Sequence, residues 1–162
     1  MFTEKQQRMA EDVIERCRAA GLRLATAESC TGGLIAGCLT SVSGSSAAFD
    51  RGFVTYDDGA KTEMLGVSER LLATDGAVSE ATARAMAQGT LSHAPVQISV
   101  AVTGIAGPEG GTETKPVGLV HIAAARSGSD TLHERHIFTG DRQTIRMAAV
   151  EAALVLLIKR LS

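Results

Sequence analysis

The chain has no tryptophan, one tyrosine and four phenylalanines. Single-stranded nucleic acids are held by stacking bases on aromatic side chains, and few are available here. Basic runs are missing as well: lysines and arginines are scattered, the net charge is −2 and the isoelectric point is near 6.1. A binder whose affinity comes from neutralising phosphates needs the opposite balance, so no nucleic-acid partner is expected. No run of about 18 apolar residues is present to cross a bilayer. The amino-terminal MFTEKQQRMAEDVIERC is charged and has no apolar signal core. No membrane partner is therefore expected, and a cytoplasmic location is. The cysteines Cys17, Cys30 and Cys38 are an odd number without metal-like pairing, which suits a reducing compartment better than a disulfide framework.

What is present is aliphatic. Hydrophobic residues make up 44% of the 162 residues and aromatics 3%, so Ala, Leu, Val and Ile must fill the core. The length suits one domain, residues 1–162, with a single sizeable core. Thr3 and Gln6 form a capping-box pattern, and Met9, Val13, Ile14 and Cys17 recur at helical spacing until Gly21. Residues 22–27 read as a strand, and Thr31 is placed to cap a helix whose apolar stripe includes Leu34, Ile35, Cys38 and Leu39. After a loop at 43–48, residues 49–56 read as a strand broken by Asp57-Asp58-Gly59. Short helices are predicted at 61–65 and 68–74, and a longer one from the Ser79 cap through Leu91. Strands at 96–103, 117–125 and 131–138 follow, the last two as a hairpin at a sheet edge, before a final helix capped by Asp141. This order predicts an α/β fold: a three-layer α/β/α sandwich with one mixed sheet and helices on both faces.

Two segments at strand ends concentrate unusual residues. TAESCTGGLIAG (26–37) passes from a strand into a helix, and TGIAGPEGGTETKPVG (103–118) carries five glycines directly after an apolar strand. Ligands of open α/β sheets bind beyond the carboxyl ends of strands, and glycine lets backbone approach them closely. Neither segment is a Walker A or GxGxxG sequence. Ser29 occupies the kind of strand-to-helix junction at which hydrolases expose a nucleophile beside backbone donors. Cys30 is the rival, since thiols near helix N-termini ionise more easily. A nucleophile needs a base. His93 lies at a helix end and His121, His133 and His136 lie in strands, where His133 and His136 point to opposite faces. Lysine is left, either Lys61 or Lys115. An ordinary lysine, with a pKa of about 10.4, is uncharged in roughly one molecule per thousand near pH 7.5, and burial or a nearby cation is needed to change that.

Residues 26–67 and the stretch AVTGIAGPEGGTETKPVGLVHIA (101–123), with FTGDRQTIRMAAVEAAL (138–154), closely resemble the CinA C-terminal domain family over nearly the whole chain. The chain looks like the stand-alone form, with no counterpart of the molybdopterin-binding-like domain of longer members. The resemblance implies an amidohydrolase converting nicotinamide mononucleotide to nicotinate mononucleotide and ammonia by Ser/Lys chemistry, without metal or cofactor. Position by position, it implies Ser29 as nucleophile, Lys61 as base, and Tyr56 and Arg142 as residues linked to the active site. It also implies a nucleotide pocket made by the two glycine-rich stretches, through Thr31, Gly32, Gly33, Thr103, Gly104, Gly107 and Gly110. Ser46 is a reserve nucleophile or a phosphate or ribose contact. The backbone amides from Cys30 to Gly33 are expected to hold the oxyanion. One departure stands out: Asp57-Asp58-Gly59-Ala60-Lys61 replaces the family's usual Ser-Asn-Glu-Ala-Lys, and carboxylates beside Lys61 favour its protonated form unless they point away. That departure keeps open a non-catalytic nucleotide-binding domain. The small-residue helices make a homodimer plausible.

Overall fold

The computed structural model describes residues 2–162 and contains, in chain order, α1 (Glu4–Ala19), β1 (Leu24–Glu28), α2 (Leu34–Thr40), a 3-10 turn (Ser45–Ala47), β2 (Phe49–Val54), α3 (Asp58–Leu65), α4 (Glu69–Asp75), α5 (Glu80–His93), β3 (Ile98–Gly104), β4 (Leu119–Arg126), β5 (Leu132–Ile137) and α6 (Arg142–Leu161). The element order is the predicted one. The five strands form one mixed sheet in the order β2-β1-β3-β4-β5. β2, β1 and β3 run parallel, whereas β4 and β5 pair antiparallel as the expected edge hairpin.

Strand residues alternate between two helical layers, because successive side chains leave a strand on opposite faces. Ile98, Val100 and Val102 of β3 and Val120, Ile122 and Ala124 of β4 join the core under α1, α2 and α6. On the other face, Ala101, Ala123 and Ala125 meet Ala83, Met86 and Ala87 of α5. This second layer is built from small residues, and α5 lies close enough for the Ser99 hydroxyl to donate to Ala87 O at 2.7 Å. α3 crosses the same helix at Gly89, where an added Cβ would stand 2.1 Å from Leu65 O. Small side chains thus substitute for the missing aromatics by letting backbones approach.

Three predicted boundaries shift for identifiable reasons. β1 runs to Glu28 because Glu28 continues the register with Val54 and Val102. Asp57 does more than break β2: its carboxylate caps α3 by accepting from Gly59 N–H at 2.9 Å, so that helix starts three residues before Lys61. Thr31 does not cap α2. Gly33 holds the N-cap position with a left-handed φ of 95°, and no side chain at that position makes the cap.

Candidate active site

The carboxyl ends of β2, β1 and β3 share one rim of the sheet, with β2 on one side of β1 and β3 on the other. Such a reversal of strand order is where open α/β sheets bind ligands. A cleft of about 280 Å³ opens there. Ser29 and Cys30 line it from the turn after β1; Tyr56, Asp58 and Lys61 from the β2–α3 junction; Ala77 and Val78 from the α4–α5 linker; Thr103 to Gly107, Glu109 and Gly110 from the loop after β3; and Arg142 from α6.

The turn carrying Ser29 is held from both sides. Beneath it, the fully buried Glu28 carboxylate accepts from Gly33, Ile35 and Ala36 N–H at 3.1, 3.0 and 2.8 Å and from the Thr26 hydroxyl at 3.2 Å. Glu28 is therefore the cap of α2, supplied from the preceding strand, and it satisfies donors that a helix start leaves open. Above it, Arg146 donates to Cys30 O and Thr31 O, both at 3.0 Å. Within the turn, Ser29 N–H donates to Val102 O, Gly32 N–H to Ser29 O and Leu34 N–H to Thr31 O. The amides of Cys30 and Thr31 are left without a backbone acceptor among the described residues. The Ser29 hydroxyl sits at the cleft wall on a residue that is 8% exposed.

Cys30 is unsuited to be a nucleophile. Burial pushes its thiol up to about 11, outweighing the opposing influence of Arg146 and Arg142, so almost no thiolate exists near neutrality. Lys61 is the largest fully buried side chain, at 1% exposure, an unusual place for an amine without a strong partner. Its Nζ donates to Tyr56 O and pairs with Asp58 Oδ1, each at 3.4 Å. Both contacts are at the long limit of N–H···O bonds, so the amine is weakly held. Ser29 and Lys61 face the same cleft but share no hydrogen bond among the described residues. Of the two carboxylates preceding Lys61, Asp57 turns away to cap α3 and Asp58 does not.

Arg142 ties the rim together, with Nη1 donating to Gly107 O at 2.8 Å and Nη2 to the Tyr56 hydroxyl at 2.9 Å. Tyr56 is 59% exposed at the mouth. Thr103 is buried, and its hydroxyl donates to Ala77 O at 2.7 Å, which fixes the linker wall.

Of the residues anticipated at the site, Ser29, Lys61, Tyr56, Thr103, Gly104, Gly107, Gly110 and Arg142 line this one cleft. Thr31, Gly32 and Gly33 do not: the Thr31 hydroxyl is buried without a partner, and both glycines lie on the α2 side of the turn. Ser46 is at the other end of the sheet, since the adjoining Ala48 accepts from Leu24 N–H at the start of β1. The five residues of β1 separate it from Ser29 by roughly 17 Å at about 3.3 Å per residue. Lys115, the alternative amine, is engaged with Asp75 O at 2.7 Å and lies outside the cleft lining.

Sequence reasoning gave no role to Glu28, Arg146 or the Ala77–Val78 wall. Glu28 carried a usable signal: an acid ending an apolar strand just before glycines and a helix. Arg146 carried none beyond its spacing of four from Arg142, because its partners are backbone carbonyls more than a hundred residues away. The histidines form a separate cluster. His121 and His133 stack and share a 2.9 Å N···N hydrogen bond on the α5 side, while His136 stacks on Phe138. Burial, with help from His133, depresses His121 to about 4.

The CinA C-terminal domain matches residues 6–161. The chain is 45% identical over 154 residues to the nicotinamide-nucleotide amidohydrolase PncC of Escherichia coli K12, covering 95% of this chain and 93% of that one. It is 52% identical over 143 residues to a CinA-like protein of Syntrophobacter fumaroxidans, covering 88% of this chain but only 34% of that protein. The chain thus spans about a third of the length of such CinA-like relatives. Among solved structures, the competence/damage inducible protein CihA of Agrobacterium tumefaciens superposes with a TM-score of 0.96 at 49% identity, covering 98% of this chain and 97% of that one. Matched over residues 6–161 in sequence and over 98% of its length in fold, the chain belongs to the CinA C-terminal domain family.

Proposed function

We propose that this protein hydrolyses the carboxamide of nicotinamide mononucleotide to nicotinate mononucleotide and ammonia, with Ser29 as nucleophile and Lys61 as base. The observation that carries this reading is a serine and a fully buried lysine on the walls of one cleft, in a chain similar over most of its length to a nicotinamide-nucleotide amidohydrolase. Lys61, in its uncharged form, turns from its weak contacts and takes the proton of the Ser29 hydroxyl as the oxygen attacks the carboxamide carbon. The carbonyl electrons move to oxygen, and the Cys30 amide receives that charge; one such donor is typically worth roughly 3–4 kcal/mol. The C–N bond then breaks, and Lys61 returns the proton to departing ammonia. Water next attacks the acyl-enzyme, Lys61 takes its proton, and the acid leaves as Ser29 regains its hydrogen.

Arg142 pairs with the nucleotide phosphate in this reading, and Tyr56 orients Lys61. The reading includes the homodimer, for which Val54 on β2 and Met64 on α3, both exposed apolar side chains, offer surface to cover; sedimentation velocity decides it. The second reading, a nucleotide-binding domain without turnover, is favoured by one contact, the Asp58 carboxylate 3.4 Å from Lys61 Nζ, which occupies the amine that the hydrolase reading needs as a base. Ammonia release from nicotinamide mononucleotide separates the two. Turnover in the wild type, lost in Ser29→Ala while nucleotide binding is kept, supports the amidohydrolase; saturable binding with no ammonia supports the alternative.

A further inference from the structure

Arg146 stands one helical turn after Arg142 on α6, yet it does not line the cleft. Its guanidinium lies across the outside of the turn that carries Ser29, bonded to two consecutive carbonyls, Cys30 O and Thr31 O. Gly32 beside it takes a left-handed φ of 57°, which favours glycine, while an added Cβ would meet Nη2 at an ordinary contact distance of 3.4 Å. A planar fork of donors suits this task, because one side chain fixes two acceptors at once, which a lysine ammonium does less well.

Orientation of these carbonyls has a consequence inside the cleft. In a trans peptide the C=O and the next N–H point in opposite directions. With Cys30 O drawn towards Arg146, the Thr31 N–H is turned away from it. With Ser29 O committed to Gly32 N–H, the Cys30 N–H is likewise set. These two amides have no acceptor, backbone or side chain, among the described residues; Cys30 lines the cleft, whereas Thr31 is fully buried. Glu28 fixes the far end of the same turn through Gly33, Ile35 and Ala36, so the peptide planes of residues 30 and 31 have no freedom to rotate separately.

We propose that Arg146 is a positioning residue for amide hydrolysis: by holding Thr31 O it sets the Gly32 N–H that bonds Ser29 O, and so keeps the Cys30 N–H facing the oxyanion formed on the substrate carbonyl. The proposal rests on Ser29 as the nucleophile and extends that reading to a residue that touches neither substrate nor Ser29.

The test uses Arg146→Met, which keeps the aliphatic bulk, and Arg146→Lys, which keeps one donor. Two readouts are needed: steady-state kinetics with nicotinamide mononucleotide, and the rate at which a fluorophosphonate labels Ser29, whose phosphonyl oxygen occupies the place of the oxyanion. Arg146→Met is expected to lower kcat and the labelling rate by about 10- to 100-fold, somewhat less than outright removal of one oxyanion donor. KM stays within about twofold, and Arg146→Lys recovers part of both rates. Labelling and kcat both within twofold of wild type in Arg146→Met overturn the proposal, as does a raised KM with kcat unchanged. Should Arg146→Met fail to fold, Arg146→Lys alone decides, by the same labelling ratio. Labelling needs no nucleotide: a protein labelled at Ser29 that releases no ammonia overturns the substrate assignment, while the ratio still decides the role of Arg146.

Discussion

Two loops face each other across the cleft, and they are built in opposite ways. In the turn after β1, Glu28 and Arg146 engage backbone groups on both sides, and Ser29, Cys30 and Thr31 are buried. The loop after β3 is longer and mostly exposed from Pro108 to Thr114, and its contacts to other segments are few. Ile105 N–H reaches Leu119 O, Gly118 N–H reaches Ile105 O, and Arg142 takes Gly107 O. The difference matches two tasks. Stabilising a developing charge needs donors that do not reorganise, whereas admitting and releasing a nucleotide needs a wall that moves, and low-stability segments serve that purpose.

The largest effect should come from dismantling the rigid side. Glu28→Ala leaves three amides of α2 and the Thr26 hydroxyl without their acceptor, so a stability loss of about 3 kcal/mol is expected by denaturant titration. Turnover should fall by more than about 100-fold with it, because the Ser29 turn loses its base. Loosening the exposed side should act differently. Arg142→Met removes both the Gly107 and Tyr56 contacts, and we expect nucleotide affinity to weaken by about tenfold while stability changes by less than about 1 kcal/mol. Calorimetric binding of nicotinate mononucleotide against thermal unfolding separates these outcomes.

A control far from both loops is the His121–His133 pair. His121 is held near 4, below the ordinary histidine value of 6.5, so the folded protein resists its protonation and the unfolded chain does not. Its contribution is therefore complete above about pH 6.5 and is lost as pH falls towards 4, by about 3 kcal/mol over that window. Glu80 beside His133 works in the opposite direction. His121→Gln should flatten this acid slope without changing kcat at pH 7.5. The smallest effect is expected from Cys30→Ala: activity within about threefold of wild type, since a thiol pushed up to about 11 has no part in the chemistry. Loss of turnover there would move the nucleophile.

The fold was legible because its signals are local. The Thr3–Gln6 capping box, the Ser79 and Asp141 caps and the β-branched β3 each form where the residues themselves dictate, and all are found in the structure. The residues themselves put Ser29 and Lys61 forward beside Cys30 and Lys115, and the resemblance chose between them; in the structure the Cys30 thiol is raised by burial and Lys115 donates to Asp75 O outside the cleft lining. What stayed hidden was long-range. Thr31 looked like a cap because Thr often is one, but a buried glutamate from the previous strand outcompetes it. Ser46, offered as a reserve nucleophile or a phosphate or ribose contact, lies near the start of β1, at the end of the strand away from Ser29. Arg146 acts on carbonyls it meets only after the whole chain has folded.

The central claim is that the Ser29 oxygen forms a bond to the substrate's carboxamide carbon. Rapid quenching of the protein with nicotinamide mononucleotide, followed by peptide mass spectrometry, reads that bond directly. We expect an adduct of nicotinate mononucleotide less water on the peptide containing Ser29, located on that serine and absent from Ser29→Ala. An adduct on Cys30, or ammonia released at the wild-type rate by Ser29→Ala, would contradict the account.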